Sequence, residues 1–194
     1  ASIDYEATDK LLVTGAARYE NFSDFGDNTS WKLGGRYILG DNRGAIRASV
    51  GTGFRAPSLH QIYLSNVQTL VSGGSISNQG TFNNVDPIIR EGLEVPQLTA
   101  ETSNNISAGI TYKITPQFSI AIDGYQIEVE DRVVFSGEIG FDGEEGTNPV
   151  EQILLDNSIT SLKIFTNAVD TKTQGVDIVA NYRNMEIGMY CIQI

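Results

Sequence analysis

One cysteine, Cys191, and one histidine, His60, stand in a chain of 194 residues. A single thiol closes no internal disulfide, and no Cys/His spacing suits a zinc site, so neither a disulfide scaffold nor a metal centre is expected. Positive charge is scarce: 13 Lys and Arg against 24 Asp and Glu leave −11, a balance that repels polyanions and sets nucleic acid aside as a partner. No run approaches 18 consecutive apolar residues, and the opening ASIDYEATDK lacks the basic and apolar regions of a secretory signal. Membrane-spanning helices are thereby excluded. Crossing by strands is not.

What the chain does have points to strands. Glycine is frequent at 20 residues, and Tyr and Phe supply 16 of the 17 aromatics, a balance that favours an all-β fold. Eight extended segments are expected, near 2–7, 11–22, 30–39, 44–55, 102–114, 118–135, 162–172 and 173–183. Each alternates. In RASVGTGFR, Arg47, Ser49, Gly51, Gly53 and Arg55 share one face, small or cationic, while Ala48, Val50, Thr52 and Phe54 share the other. The same two-residue period sets Trp31, Leu33, Gly35, Tyr37 and Leu39 against Lys32, Gly34, Arg36 and Ile38. It also sets Ile106, Ala108, Ile110 and Tyr112 against Ser107, Gly109, Thr111 and Lys113.

The connections alternate too. Thr8-Asp9-Lys10, Gly40-Asp41-Asn42-Arg43 and Thr115-Pro116-Gln117 are tight turns by composition, and long excursions at 23–29, 56–101 and 136–161 lie between them. Strands of about 10 residues, joined by short turns at one end and long loops at the other, are the pattern of a bacterial outer-membrane β-barrel. In that reading Arg47, Ser49, Gly51 and Gly53 face a wet lumen and the apolar row faces outer-membrane lipid. Tyr19, Trp31, Phe54, Tyr112, Phe118 and Tyr182 then fall near segment ends, as interfacial aromatics do. The competing architecture is a soluble secreted β-sandwich that binds carbohydrate through Trp31 and loop aromatics. Its buried face calls for larger residues than the row Gly51, Gly53, Ser107 and Gly109.

Three stretches carry a resemblance: RASVGTGFRAPSLHQIY (47–63), LTAETSNNISAGITYKITPQFSIAIDGYQIEVEDRVVFSG (98–137) and FTNAVDTKTQGVDIVANYR (165–183). Together they resemble the C-terminal part of the barrel of TonB-dependent outer-membrane receptors, and ARYENFSDFGDNTSWKLGGRY (17–37) is similar to an upstream strand pair of that family. The resemblance implies an antiparallel transmembrane β-barrel segment over 1–183, about eight strands of a larger barrel, with an atypical tail at 184–194 read as a truncation. It implies a receptor and transporter for a small-molecule nutrient such as a siderophore, cobalamin or saccharide. A plug domain elsewhere in the full-length chain and the TonB complex are the implied partners. Neither a cofactor nor enzymatic activity is expected.

Motifs that could carry chemistry are weak beside this. Gly51-Thr52-Gly53-Phe54-Arg55-Ala56 spells the dinucleotide fingerprint, but Pro57 follows at once where a helix must begin. Asp24-Phe25-Gly26 lacks every other kinase element and reads as a turn. His60 has no Ser or Cys placed with it as a triad, and no catalytic residue is assigned. The acidic loop 136–161, with Glu138, Asp142, Glu144, Glu145, Glu151 and Asp156, lacks the ligand spacing of a calcium loop and reads as solvated. Within it Asn148, Pro149 and Glu151 read as the start of one short helix with Ile153, Leu154 and Leu155 on its apolar side. Substrate contact is expected at the rim and in loop 56–101, through Arg55, His60, Gln61 and Tyr63, because loops on a rigid scaffold hold binding residues. Residues 72–84 are expected to be a flexible run. Cations on the inner row, among them Arg18, Lys32, Arg36, Arg47, Lys113 and Arg183, are expected to pair with acids such as Glu20 and Asp177.

Overall fold

The computed structural model describes residues 1–23, 26–40, 42–140, 149–183, 185–187 and 190–192; for residues 88, 149 and the stretches beyond 184 it describes the backbone alone. Asn148, Asp142, Glu144 and Glu145 lie outside the described residues. In chain order the elements are β1 (Ser2–Thr8), β2 (Leu11–Phe22), β3 (Gly26–Ile38), β4 (Gly44–Arg55), α1 (Leu59–Tyr63), β5 (Asn66–Ser72), β6 (Ser75–Phe82) and α2 (Pro87–Gly92). There follow β7 (Glu101–Lys113), β8 (Phe118–Phe135), β9 (Ile139–Gly140), α3 (Pro149–Asp156), β10 (Ser161–Tyr182), β11 (Met185–Ile187) and β12 (Tyr190–Ile192). The chain divides into two compact units: residues 1–54, 102–129 and 171–194 form one, residues 55–101 and 130–170 the other.

The first unit is an open wall of strands in the order β1-β2-β3-β4-β7-β8-β10. Its registers show why the alternation matters, since residues paired across strands share a face. Thr14, Gly34 and Ser49 form one rung, Ala16, Lys32 and Gly51 a second, and Leu12, Arg36 and Arg47 a third. On the opposite face Gly15, Leu33 and Val50 meet, as do Leu11, Tyr37 and Ile46, and β1 adds Ile3 beside Gly15 and Tyr5 beside Val13. Among the described residues nothing covers that apolar face: Ile3, Val176 and Ile178 keep 71, 68 and 66% of their surface open. A protein packed only against itself buries such residues, at about 1.5–3 kcal/mol each. β11 and β12 pair with each other in a separate two-stranded sheet.

The second unit holds the conventional core. Ile89 of α2 and Ile153 and Leu154 of α3 pack with Ile159, Leu162 and Ile164, and Phe82, Leu93, Val95, Ile139 and Val150 close around them. Asn84 is 1% exposed and ties three segments together. Its amide donates to the carbonyls of Pro96 and Phe165, both at 3.2 Å, and its oxygen accepts from the Leu98 amide at 2.8 Å. All of its capacity but one lone pair is thereby used. β6 runs parallel to the start of β10 and antiparallel to β5. The β5–β6 turn is Gly73-Gly74, both with positive φ, +60° and +84°, the backbone that a two-residue hairpin turn demands and that glycine adopts without strain.

Four features depart from the reading of the sequence. The segments at 162–172 and 173–183 are one strand, β10, because Thr171-Lys172-Thr173 contains no breaker and Lys172 is held in line by an ion pair to Glu128 at 2.7 Å. β3 begins at Gly26, which pairs with Phe22, so the excursion at 23–29 shrinks to a hairpin and Trp31 sits in mid-strand. The run at 72–84 is most of an ordered hairpin, its strand pattern hidden by Gly, Ser and Asn. The short helix forms as α3, but Leu155 stays 59% exposed, and the packed side is Val150, Ile153 and Leu154.

Candidate functional site

In the first unit the small and cationic row of β4 meets polar partners from β7 and β8. Arg47 donates from Nε to Asp123 Oδ1 at 2.8 Å and from Nη1 to Thr111 Oγ1 at 2.9 Å, and a second arm reaches Asp123 Oδ2. The fork is bidentate, the strongest form of a guanidinium–carboxylate pair. Two residues along, the hydroxyls of Ser49 and Ser107 lie 2.9 Å apart. Gly109 makes room for this arrangement, because a Cβ there would land on the Asp123 carboxylate and 2.9 Å from the Ile122 carbonyl oxygen. Gly175 does the same for the ring of Tyr125, whose atoms come within 2.5 Å of where its Cβ would stand. The result is a shallow depression of about 300 Å³ lined by Lys32, Gly34, Arg36, Arg47, Ser49, Ser107, Gly109 and Asp123 among others.

Of the other residues expected to face the lumen, Gly51 is buried, and a Cβ on it would meet the Trp31 carbonyl oxygen at 2.7 Å, so close strand approach requires it. Gly53 leaves room for Ser103 Oγ, 2.9 Å from the same hypothetical atom. Arg18 pairs with Glu20. Arg47, Ser49, Gly51 and Gly53 thus occupy alternate positions of β4, and Asp123, Thr111 and Ser107 are the partners of the first two.

In the second unit, Arg55 ends β4 and Glu101 begins β7. Glu101 is 5% exposed; it accepts from Arg55 Nε at 2.9 Å, from Arg55 Nη2, and from the Val133 amide at 2.9 Å. Three donors on one carboxylate lock two segment ends and the β8 backbone together. Arg55 therefore serves this clamp. Just beyond, Ser58 caps α1: its hydroxyl accepts from the Gln61 amide at 3.2 Å, and the Gln61 side chain accepts from the Ser58 amide at 2.9 Å. Gln61 is thereby spent on a capping box. His60 and Tyr63 on the same helix are exposed, Tyr63 by 52%, while Ile62 anchors the turn inward. Of the four expected contact residues, two hold the loop's shape and two present open side chains.

A third polar cluster joins β6, β10 and the segment before β9. Glu138 accepts from Gln79 Nε2 at 2.5 Å and from Ser161 Oγ at 2.7 Å. Those hydrogen bonds, the one from Ser161 foremost, hold its carboxyl below the ordinary carboxylate value. Sequence reasoning singled out neither Asp123 nor Glu101. The signal was present in IAIDGY, where an acid interrupts an apolar stretch, and in AETS, where one opens a strand.

The model of a family described as TonB dependent receptor-like, beta-barrel matches residues 1–190. No curated protein matches the sequence. Among solved structures the fold is similar to the siderophore receptor PirA from Pseudomonas aeruginosa, with TM-score 0.66, 19% identity, and coverage of 91% of this chain and 29% of that one. It is similar to the ferric enterobactin receptor PfeA of the same organism in complex with enterobactin, with TM-score 0.64, 16% identity, and coverage of 90% and 23%. It is also similar to the RagAB peptide importer, with TM-score 0.62, 12% identity, and coverage of 97% and 19%. The chain thus spans less than a third of each of these proteins, and at such identities the likeness is one of fold.

Proposed function

Because the chain belongs to the TonB-dependent receptor β-barrel family, we propose that it is a stretch of the barrel wall of an outer-membrane receptor that takes up a nutrient. The observation that carries this reading is the first unit's two-faced wall. One face is a bare apolar row through Ile3, Leu33, Val50, Ile106, Val176 and Ile178, and the other holds Arg47–Asp123 and Ser49–Ser107. Lipid suits the first face and water the second, and a closed barrel satisfies the backbone between them. β3, β4 and β7, at 12 or 13 residues, exceed the roughly 9 to 11 that a tilted strand needs to cross. The tight turns after β1, β3 and β7 face the periplasm, and the excursions bearing α1, α2 and α3 face outward.

In this reading the inner wall supports the plug of the full-length protein, the TonB complex acts through that plug, and the cargo is a small molecule such as a siderophore, cobalamin or saccharide. His60 and Tyr63 are the side chains of α1 offered to it; Arg55 and Gln61 contribute by fixing the loop that carries them. The reaction is transfer of an intact solute, with no covalent step. A carbohydrate-binding sandwich is disfavoured because, among the described residues, no second sheet covers the exposed apolar row.

The test is uptake by cells whose own receptors have been deleted and that express the full-length protein. A panel of radiolabelled ferric siderophores, cobalamin and oligosaccharides is supplied with and without functional TonB. Accumulation of one cargo that disappears without TonB supports the reading, and accumulation indifferent to TonB contradicts it.

A further inference from the structure

The stretch 56–85 contains no Asp, Glu, Lys or Arg, in a chain whose net charge is −11. At its centre is the β5–β6 hairpin, and β5 ends its sheet, pairing with β6 alone among the described residues. Every residue of β5 is exposed, with Val67 at 58% and Val71 at 71%. Proteins blunt an open edge with lysine, proline, a bulge or a very short strand. β5 has none of these: it is seven residues long, uncharged, free of proline, and paired from Asn66–Thr81 to Ser72–Ser75 without a shift of register.

We propose that the open edge of β5 is a strand-addition site that takes a free, uncharged oligopeptide. The two-residue turn at Gly73-Gly74 is closed by a hydrogen-bonded pair, Ser72 with Ser75, and alternation then aims the main-chain N–H and C=O of Val67, Thr69 and Val71 away from β6. Like groups on that edge repeat at about 6.8 Å, two residues of a strand. An extended polypeptide matches that spacing with its own donors and acceptors, which is how strand addition gives affinity. The valines flanking Thr69 favour β-branched or apolar ligand residues on their face, and the absence of charge nearby favours an uncharged peptide. A second copy of the chain is the poorer occupant, because seven residues of strand cover far less than the roughly 1,200 Å² that a stable protein pair needs. The proposal does not rest on the receptor reading, since the edge binds peptide whether or not the protein imports anything.

The experiment uses the full-length protein in detergent and a fluorescein-labelled synthetic octapeptide, SISNQGTF, the β6 sequence that already pairs with β5. A second probe is the same peptide N-methylated at alternate amides, which keeps its side chains and removes its donors. Anisotropy is expected to show saturable binding of the first probe and at least about tenfold weaker binding of the second. Thr69→Pro removes one outward N–H at an edge position where proline is tolerated and abolishes binding. Val71→Lys, which leaves every hairpin hydrogen bond in place, weakens it too. The peptide is also expected to slow hydrogen exchange at the Val67, Thr69 and Val71 amides. Equal binding of the methylated probe, or no saturable binding up to about 1 mM, overturns the proposal. So does protection of those amides before peptide is added, which means the protein's own chain covers the edge. Peptide-blind dimerisation that Thr69→Pro removes overturns it in favour of a second copy.

Discussion

Glu101 joins the end of β4, the start of β7 and the β8 backbone. Replacing it with alanine leaves the Val133 amide, in a residue 8% exposed, without its 2.9 Å acceptor, at a cost of about 1–3 kcal/mol. The ion pair with Arg55 adds little, about 0–1 kcal/mol, because the Arg55 side chain is 57% exposed and returns to water. Together Glu101→Ala costs about 1–4 kcal/mol locally, with the buried amide dominating. Glu101→Gln keeps an oxygen for that amide and costs about 1 kcal/mol. The assay is hydrogen exchange at Val133 in the full-length protein, where protection reports local opening. At 1.36 kcal/mol per tenfold, the alanine variant exchanges there about five to several hundred times faster, and the glutamine variant about fivefold faster at most. Exchange within about threefold of the parent in Glu101→Ala, or a glutamine variant as damaged as the alanine one, refutes the reasoning.

Two further outcomes are expected. Gly109→Ala displaces Asp123 from Arg47 and lowers stability by about 1–3 kcal/mol, whereas Gly15→Ala, with nothing within 4 Å of its added Cβ, stays within about 0.5 kcal/mol. Equal melting temperatures for the pair in detergent contradict that contrast. Glu138 has its carboxyl held below the ordinary value of 4.5, so the tie it makes between β6 and β10 is fully present above the ordinary range and is lost as pH falls through the lowered value. Carbon-13 titration of its carboxyl gives a midpoint below 4.5; a midpoint at or above that value shows that the Ser161 and Gln79 hydrogen bonds do not favour the charged form.

The wall was legible in the sequence because its period is two and its faces differ in chemistry. Leu33, Val50 and Ile106 against Gly34, Ser49 and Ser107 need no tertiary information to be sorted. The same period could not reveal partners across strands, so Arg47 was visible and Asp123, 76 residues away, was not. In the second unit composition misled. Ser, Asn and Gly from 72 to 84 read as loop, and only the Gly73-Gly74 pair flanked by Val71 and Ile76 signalled a hairpin. Arg55 and Gln61 looked like binding residues because they are polar and sit on a loop, yet Glu101 and Ser58 engage them. A side chain's type shows what it can bond, and the fold decides what it does bond.

The central claim is that the apolar row of this wall meets lipid and its polar row meets water inside a closed cylinder. Nitroxide labels placed one at a time at Val50 and Ile106, and at Ser49 and Ser107, in the full-length protein reconstituted into bilayers, test it directly. Oxygen is predicted to relax the first pair and a polar nickel complex the second. If both relaxants reach all four positions alike, the wall does not separate lipid from water and the barrel reading is wrong.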